Sequence, residues 1–139
     1  EKNDVYTIYA SELKGNTIPL DMPSVGATIN AILVAVLAKG TTIIKNAARE
    51  PEITDLINML NKMGAKIEVI GNKNAIISGP TPLKGKQVSA TDLRGGASLV
   101  VLGLIAEGTT TISNIEHIIR GYEDIITKLS QVGAKIELI

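Results

Sequence analysis

The chain has 139 residues, enough for one ordinary domain or two small ones sharing a core, and its 45% apolar and 20% charged content is that of a soluble globular protein. Fourteen basic residues cancel fourteen acidic ones, so net charge marks neither nucleic acid nor an anionic membrane as a partner, and any anion recognition must be local. Cysteine, tryptophan and phenylalanine are absent, which excludes disulfides, thiolate metal sites and a cysteine nucleophile and leaves an aliphatic core.

The opening "EKNDVYTIYA" lacks the basic-then-apolar layout of a signal peptide, and Val5–Ala10 reads as a strand. The apolar run Ala31–Ala38 is far shorter than the ~20 residues that span a bilayer, so a cytoplasmic location is expected. Val25–Ala38 is apolar on nearly every face and predicts a helix buried on all sides. Pro51 suits a first helical position, and Ile53, Leu56, Ile57 and Leu60 continue at helical spacing until Gly64 stops the helix. Strands follow at Ala65–Ile70 and Ala75–Ser78. "GPTP" at Gly79–Pro82 is the best linker candidate.

Beyond that linker the pattern repeats. "LKG" at Leu13–Gly15 returns at Leu83–Gly85, and "LAKGTTIIKN" at Leu37–Asn46 returns as "IAEGTTTISN" at Ile105–Asn114. "GAT" at Gly26–Thr28 returns as "GAS" at Gly96–Ser98, and the changing offset suggests that the first helix is about two residues shorter in the second copy. A second apolar helix is expected over Leu93–Ala106, a second amphipathic one over Gly121–Val132, and a closing strand over Ala134–Ile139, where "GAKIE" echoes Gly64–Glu68. The fold class is therefore α/β (α+β), two copies of a strand–helix–strand–helix–strand unit, residues 1–79 and 80–139.

Chemistry in such a chain belongs at helix starts. In "PSVGAT", Ser24 can cap the first helix, Val25 and Gly26 present free N–H groups, and the absent side chain of Gly26 admits a ligand to the backbone. An ordinary capped helix explains the same residues. In "TDLRGGAS", Asp92 can cap and Arg94 offers a forked donor for phosphate or carboxylate. Arg120 precedes the second amphipathic helix, as an anion clamp or a solvated cation. Glu50 and Glu52 read as acids complementing a helix dipole. His117 is the sole histidine, so no metal site is expected.

Four blocks carry a family resemblance: "PSVGAT", "GTTIIKNAAREPEITDLINMLNKMGAKIE", "TDLRGGASLVVLGLIAEGTT" and "HIIRGYEDIITKLSQVGAKIE". Together they resemble the UDP-N-acetylglucosamine enolpyruvyl transferase (1-carboxyvinyltransferase) family, which shares its fold with the shikimate-pathway enolpyruvyl transferases. The resemblance implies two domains of three βαβαββ units with the active site between them. It implies transfer of the enolpyruvyl group of phosphoenolpyruvate to the 3-hydroxyl of UDP-N-acetylglucosamine, the first committed step of peptidoglycan synthesis. No metal or organic cofactor is implied. Carried over residue by residue, Ser24, Val25 and Gly26 hold the sugar-nucleotide diphosphate. Arg120 contacts phosphoenolpyruvate, and Asp92 and Arg94 line the cleft, orienting charge and relaying protons.

The resemblance also implies that much is missing. Residues 1–79 resemble the last unit of the family's first domain, and those from Pro80 the last unit of its second. The chain then represents a deletion form, a minimal two-unit design or part of a longer polypeptide. The family's loop cysteine, its N-terminal lysine–asparagine pair and its second-domain aspartate have no counterpart; "KNA" at Lys45–Ala47 and Lys73–Ala75 reads as coincidence. Ile119 stands where an acid is expected, and Gly95 where alanine is usual. The expectation is a partial or deletion form of the transferase, an enzyme by family whose isolated 139 residues are inactive; the alternative is a catalytically inactive two-unit scaffold or binding module, and self-association through exposed unit faces is expected.

Overall fold

The computed structural model describes residues 9–71 and 73–139. Up to Gly79 the chain forms β1 (Thr17–Pro19), α1 (Val25–Leu37), β2 (Gly40–Lys45), α2 (Pro51–Lys62), β3 (Lys66–Ile70) and β4 (Asn74–Gly79). The second half forms β5 (Gln87–Ser89), α3 (Leu93–Ile105), β6 (Thr111–Ser113), α4 (Glu116–Ile119) and α5 (Ile125–Gln131). The expected strand at Val5–Ala10 falls mostly outside the described residues.

The first half builds a four-stranded sheet in the order β1-β2-β4-β3, with β1 parallel to β2 and β4 antiparallel to both its neighbours. The second half builds only a parallel pair, β5 and β6. The two parallel pairs share one register: Thr17 faces Ile43 as Gln87 faces Thr111. Gly15 and Gly85 occupy equivalent close approaches, where an added Cβ would lie 2.4 Å from the Thr41 carbonyl oxygen and 2.3 Å from that of Thr109. Only glycine permits either contact.

The first half holds most of the core. Ile32 and Val36 of α1, Ile44 of β2, Leu56 and Leu60 of α2 and Ile77 of β4 are inaccessible to solvent. Leu83 and Leu102 from the second half complete the same cluster. The second half has a smaller cluster of its own around Ala90, Val100 and Ile118. Pro51 opens α2, with Glu52 in its first turn and Lys62 in its last, both favourable to the helix dipole. Gly64 and Gly133 end their helices at φ +107° and +96°, a region L side chains rarely adopt.

Four expectations are corrected. Residues 134–139 form no strand, because β3 pairs only with the β4 that follows it, and no equivalent of β4 lies beside 134–139 among the described residues. The second amphipathic helix begins at Ile125, not Gly121: the N–H groups of Gly121 and Tyr122 close a turn on the Ile118 carbonyl, and Asp124 is left-handed at φ 49°. Where α2 has Pro51 and Glu52 to start it, the repeat supplies Arg120 and Gly121, a weaker start by about 1 kcal/mol at the glycine. The apolar helices are not buried all round, since Val34 and Leu37 of α1 and Val101, Leu104 and Ile105 of α3 are exposed. Finally, α1 and α3 are both 13 residues long, so the two-residue slip lies ahead of the helix, between β5 and Asp92. Thr28 is thus equivalent to Gly96 rather than to Ser98.

The Gly79–Pro82 segment is packed rather than free. Thr81 N–H donates to the Val36 carbonyl at 2.9 Å, and a Cβ on Gly79 would lie 2.5 Å from the Ala38 carbonyl oxygen. Among the described residues no helix is long and apolar enough to cross a membrane.

Candidate functional site

Ser24 has the extended backbone of an N-cap, φ −137° and ψ 122°, and its Oγ accepts the Ala27 N–H at 3.3 Å. Among the described residues the N–H groups of Val25 and Gly26 donate to nothing. Gly26 is exposed, and a Cβ built on it meets no atom within 4 Å, so the first turn is open to a ligand. No acidic residue stands in that turn to offset the positive end of the helix dipole. One turn further, the buried Thr28 hydroxyl accepts the Ala48 N–H at 2.9 Å, which fixes the approach of α2 to α1.

The start of α3 is built differently. Asp92 Oδ1 accepts the N–H groups of Arg94 and Gly95 at 2.8 and 2.9 Å, so the chain's own carboxylate occupies the helix end. A Cβ on Gly95 would lie 2.6 Å from Asp92 Oδ2. Glycine at this position is what lets the aspartate fold over the turn. The exposed Arg94 reaches Glu52 of α2 with 3.9 Å between Nη1 and Oε1. That contact is solvated at the arginine and weak. It nonetheless ties the starts of α2 and α3 together.

Arg120 ends α4 and is exposed, with no ion-pair partner among the described residues. Its neighbours place it beside α3: a Cβ on Gly121 would press on Leu93, and Ile118 packs against Gly96. Asp92 and Arg94 therefore sit at the start of α3, and the Arg120 backbone runs beside the same helix. Ser24, Val25 and Gly26 stand at another, and no hydrogen bond or ion pair among the described residues joins the two groups. Glu50 takes the position before α2 without capping it, and its carboxylate accepts the Arg49 N–H at 2.8 Å. His117 lies half-buried in α4, and among the described residues no cluster of three or more His, Asp or Glu side chains could hold a metal.

Sequence reasoning missed the Glu52–Arg94 contact and the Thr28–Ala48 bond. Both join residues far apart in the chain, for which local spacing carries no signal. It also missed an open depression of about 210 Å³ lined by Arg49, Ile53, Thr54, Val69 and Lys73 among others, which contains none of the predicted site residues.

The family model of EPSP synthase (3-phosphoshikimate 1-carboxyvinyltransferase) matches residues 2–86 and, again, residues 71–129. UDP-N-acetylglucosamine 1-carboxyvinyltransferase 2 of Carboxydothermus hydrogenoformans is 44% identical over 130 residues, covering 91% of this chain and 30% of the relative. Its namesake from Listeria innocua is 29% identical over 274 residues, covering 98% of this chain and 64% of the relative. That span is roughly twice the chain's own 139 residues, so the match skips a block about as long as the chain itself. Among solved structures, the enolpyruvyl transferase NikO from Streptomyces tendae superposes with a TM-score of 0.73 at 27% identity, over 92% of this chain and 30% of that one. The chain spans about a third of the length of the Carboxydothermus relative and of NikO. By the doubled family match and the shared fold, it belongs to the EPSP synthase family of enolpyruvyl transferases.

Proposed function

We propose that these 139 residues carry two units of a UDP-N-acetylglucosamine 1-carboxyvinyltransferase, among them the sugar-nucleotide cradle, and that they turn nothing over by themselves. The units are residues 1–79 and 80–139. Two family matches overlapping at residues 71–86, and an alignment that skips a long block of the Listeria relative, support that division. The whole enzyme's reaction would move the enolpyruvyl group of phosphoenolpyruvate to the 3-hydroxyl of UDP-N-acetylglucosamine with release of phosphate.

The observation that carries the reading is the open first turn of α1. Unused N–H groups at Val25 and Gly26, a serine cap and an unscreened helix dipole suit a diphosphate. Arg120, exposed and without an ion-pair partner among the described residues, supplies a guanidinium for the phosphate or carboxylate of phosphoenolpyruvate, and a bidentate fork suits either. Asp92 and Arg94 take a lesser part, because each is engaged within the protein. Acid–base groups and substrate clamps act as a set, and a chain without cysteine or the family's lysine–asparagine pair retains only part of that set. The apolar side chains exposed on α1 and α3 favour self-association in this form.

Two assays test this. Phosphate release from phosphoenolpyruvate in the presence of UDP-N-acetylglucosamine is expected to stay at background for the 14.7 kDa chain, and turnover comparable to the full-length relatives overturns the inactive reading. Titration with UDP-N-acetylglucosamine is expected to show binding that weakens about tenfold, ~1.4 kcal/mol, in Ser24→Ala and Gly26→Ala. Unchanged affinity in both variants removes the diphosphate assignment.

A further inference from the structure

Among the described residues one seam joins the two proposed units, and the chain carries the parts of a second. At the seam, Met63 is 0% exposed and Leu83 3%, and Lys84 N–H donates to the Met63 carbonyl at 2.9 Å. Beside them Met59 of α2 packs on Val88 of β5 and Leu99 of α3, and Leu102 enters the first unit's core. The end of α2 is thus a tail, and Leu83–Gly85 with β5 and one face of α3 is the head that receives it.

Each part has a counterpart in the other unit. The head recurs at Leu13–Gly15, β1 and α1, and its backbone is already set. Gly15 N–H bonds the Lys39 carbonyl at 2.9 Å, and Lys39 N–H the Leu13 carbonyl at 2.9 Å. Gly85, Glu107 and Leu83 make the same two bonds at 2.8 Å. The tail recurs at the end of α5, with Val132 in the place of Met63. Among the described residues neither is fully covered: Leu13 is 38% exposed and Val132 81%. Val34, the counterpart of the buried Leu102, is exposed too. Side-chain sizes also match across the uncovered pair. Where Met59 meets Leu99, the repeat offers Lys128 against Ala31, and a long lysine stem can cross a small residue with its ammonium in water.

Resting on the two-unit reading above, we propose that a second copy of this chain docks head to tail, the Val132 end of one copy seated on the Leu13 head and α1 face of the next. The contact is heterologous: the two copies contribute different surfaces, related by the chain's own repeat. Exposed apolar side chains at both ends supply the burial, and the seam inside each copy supplies the register.

Light scattering on purified chain tests this with Leu13→Asp and Val132→Asp. Both positions face solvent in a single copy, so both variants should keep the wild-type circular dichroism and melting transition. The wild type is expected above 14.7 kDa at micromolar concentration, and each variant alone at 14.7 kDa. An equimolar mixture is expected to form a species of two chains, because the intact tail of Leu13→Asp meets the intact head of Val132→Asp and both remaining ends are blocked. A monomeric wild type, a variant that keeps the wild-type mass, or a mixture that stays monomeric overturns the proposal. The cradle lies within one copy, so UDP-N-acetylglucosamine titration of monomeric Leu13→Asp reads the functional proposal separately.

Discussion

The two halves of this chain carry the same sequence pattern and reach different degrees of completion. In the first, β3 and β4 close the sheet and α2 lays Ile53, Leu56, Ile57 and Leu60 on the core. In the second, the corresponding Tyr122, Ile125, Ile126 and Leu129 span a turn and a helix of 7 residues with no fully buried position. The echo of "GAKIE" is five letters long in both places, yet it becomes a strand only where a partner strand lies beside it. Local pattern proposes an element, and a neighbour with free hydrogen-bonding groups decides whether it forms.

The largest effect expected from that difference comes from the paired substitutions Leu60→Ala and Leu129→Ala, which remove the same methyl groups from equivalent positions. Leu60 is 0% exposed, and its loss should cost about 2–5 kcal/mol in chemical denaturation, while the half-buried Leu129 should cost about 1 kcal/mol or less. Equal costs would break the comparison. A smaller contrast separates two hydroxyls. Thr28→Val leaves the Ala48 N–H without its buried acceptor, an expected loss of about 1–3 kcal/mol. Ser98 only donates back to the Arg94 carbonyl one turn earlier, so Ser98→Ala should change stability by less than about 0.5 kcal/mol. The smallest effect belongs to Gly95→Ala. The added Cβ displaces the Asp92 carboxylate from its cap at a cost of about 1 kcal/mol, and alanine returns about 1 kcal/mol of helix propensity. Denaturation midpoints should barely move, and the Asp92 side chain should be released from the turn, which the chemical shifts of the Arg94 and Gly95 amides report.

Much of this architecture was legible in the residues. The caps Ser24 and Asp92, the proline start of α2 and the glycine stops are local signals, and each stands where the pattern put it. Elsewhere the pattern promises burial that the described residues do not supply. Val34, Leu37, Val101, Leu104 and Ile105 make α1 and α3 look buried on every face, but the surfaces that would cover those residues are not among the described ones. The terminal strand misled for the same reason. The likeness of Gly26–Thr28 to Gly96–Ser98 misled differently, since it matched letters while helix caps and strand register put the slip in the preceding loop.

The candidate site was legible as a set of helix starts, and not as two unlike ones. The α1 turn carries a serine that accepts one N–H and leaves two others unused, whereas the α3 turn is filled by an aspartate that accepts two. Nothing in the spacing of "PSVGAT" and "TDLRGGAS" distinguishes open from occupied. That distinction needs the oxygen positions.

Residue-resolved amide shifts during titration with UDP-N-acetylglucosamine test the central claim most directly. The account predicts that the Val25 and Gly26 amides move together and saturably, while those of Arg94 and Gly95 stay still because Asp92 already holds them. Movement at Arg94 and Gly95 with Val25 and Gly26 silent, or no movement at either helix start, would contradict it.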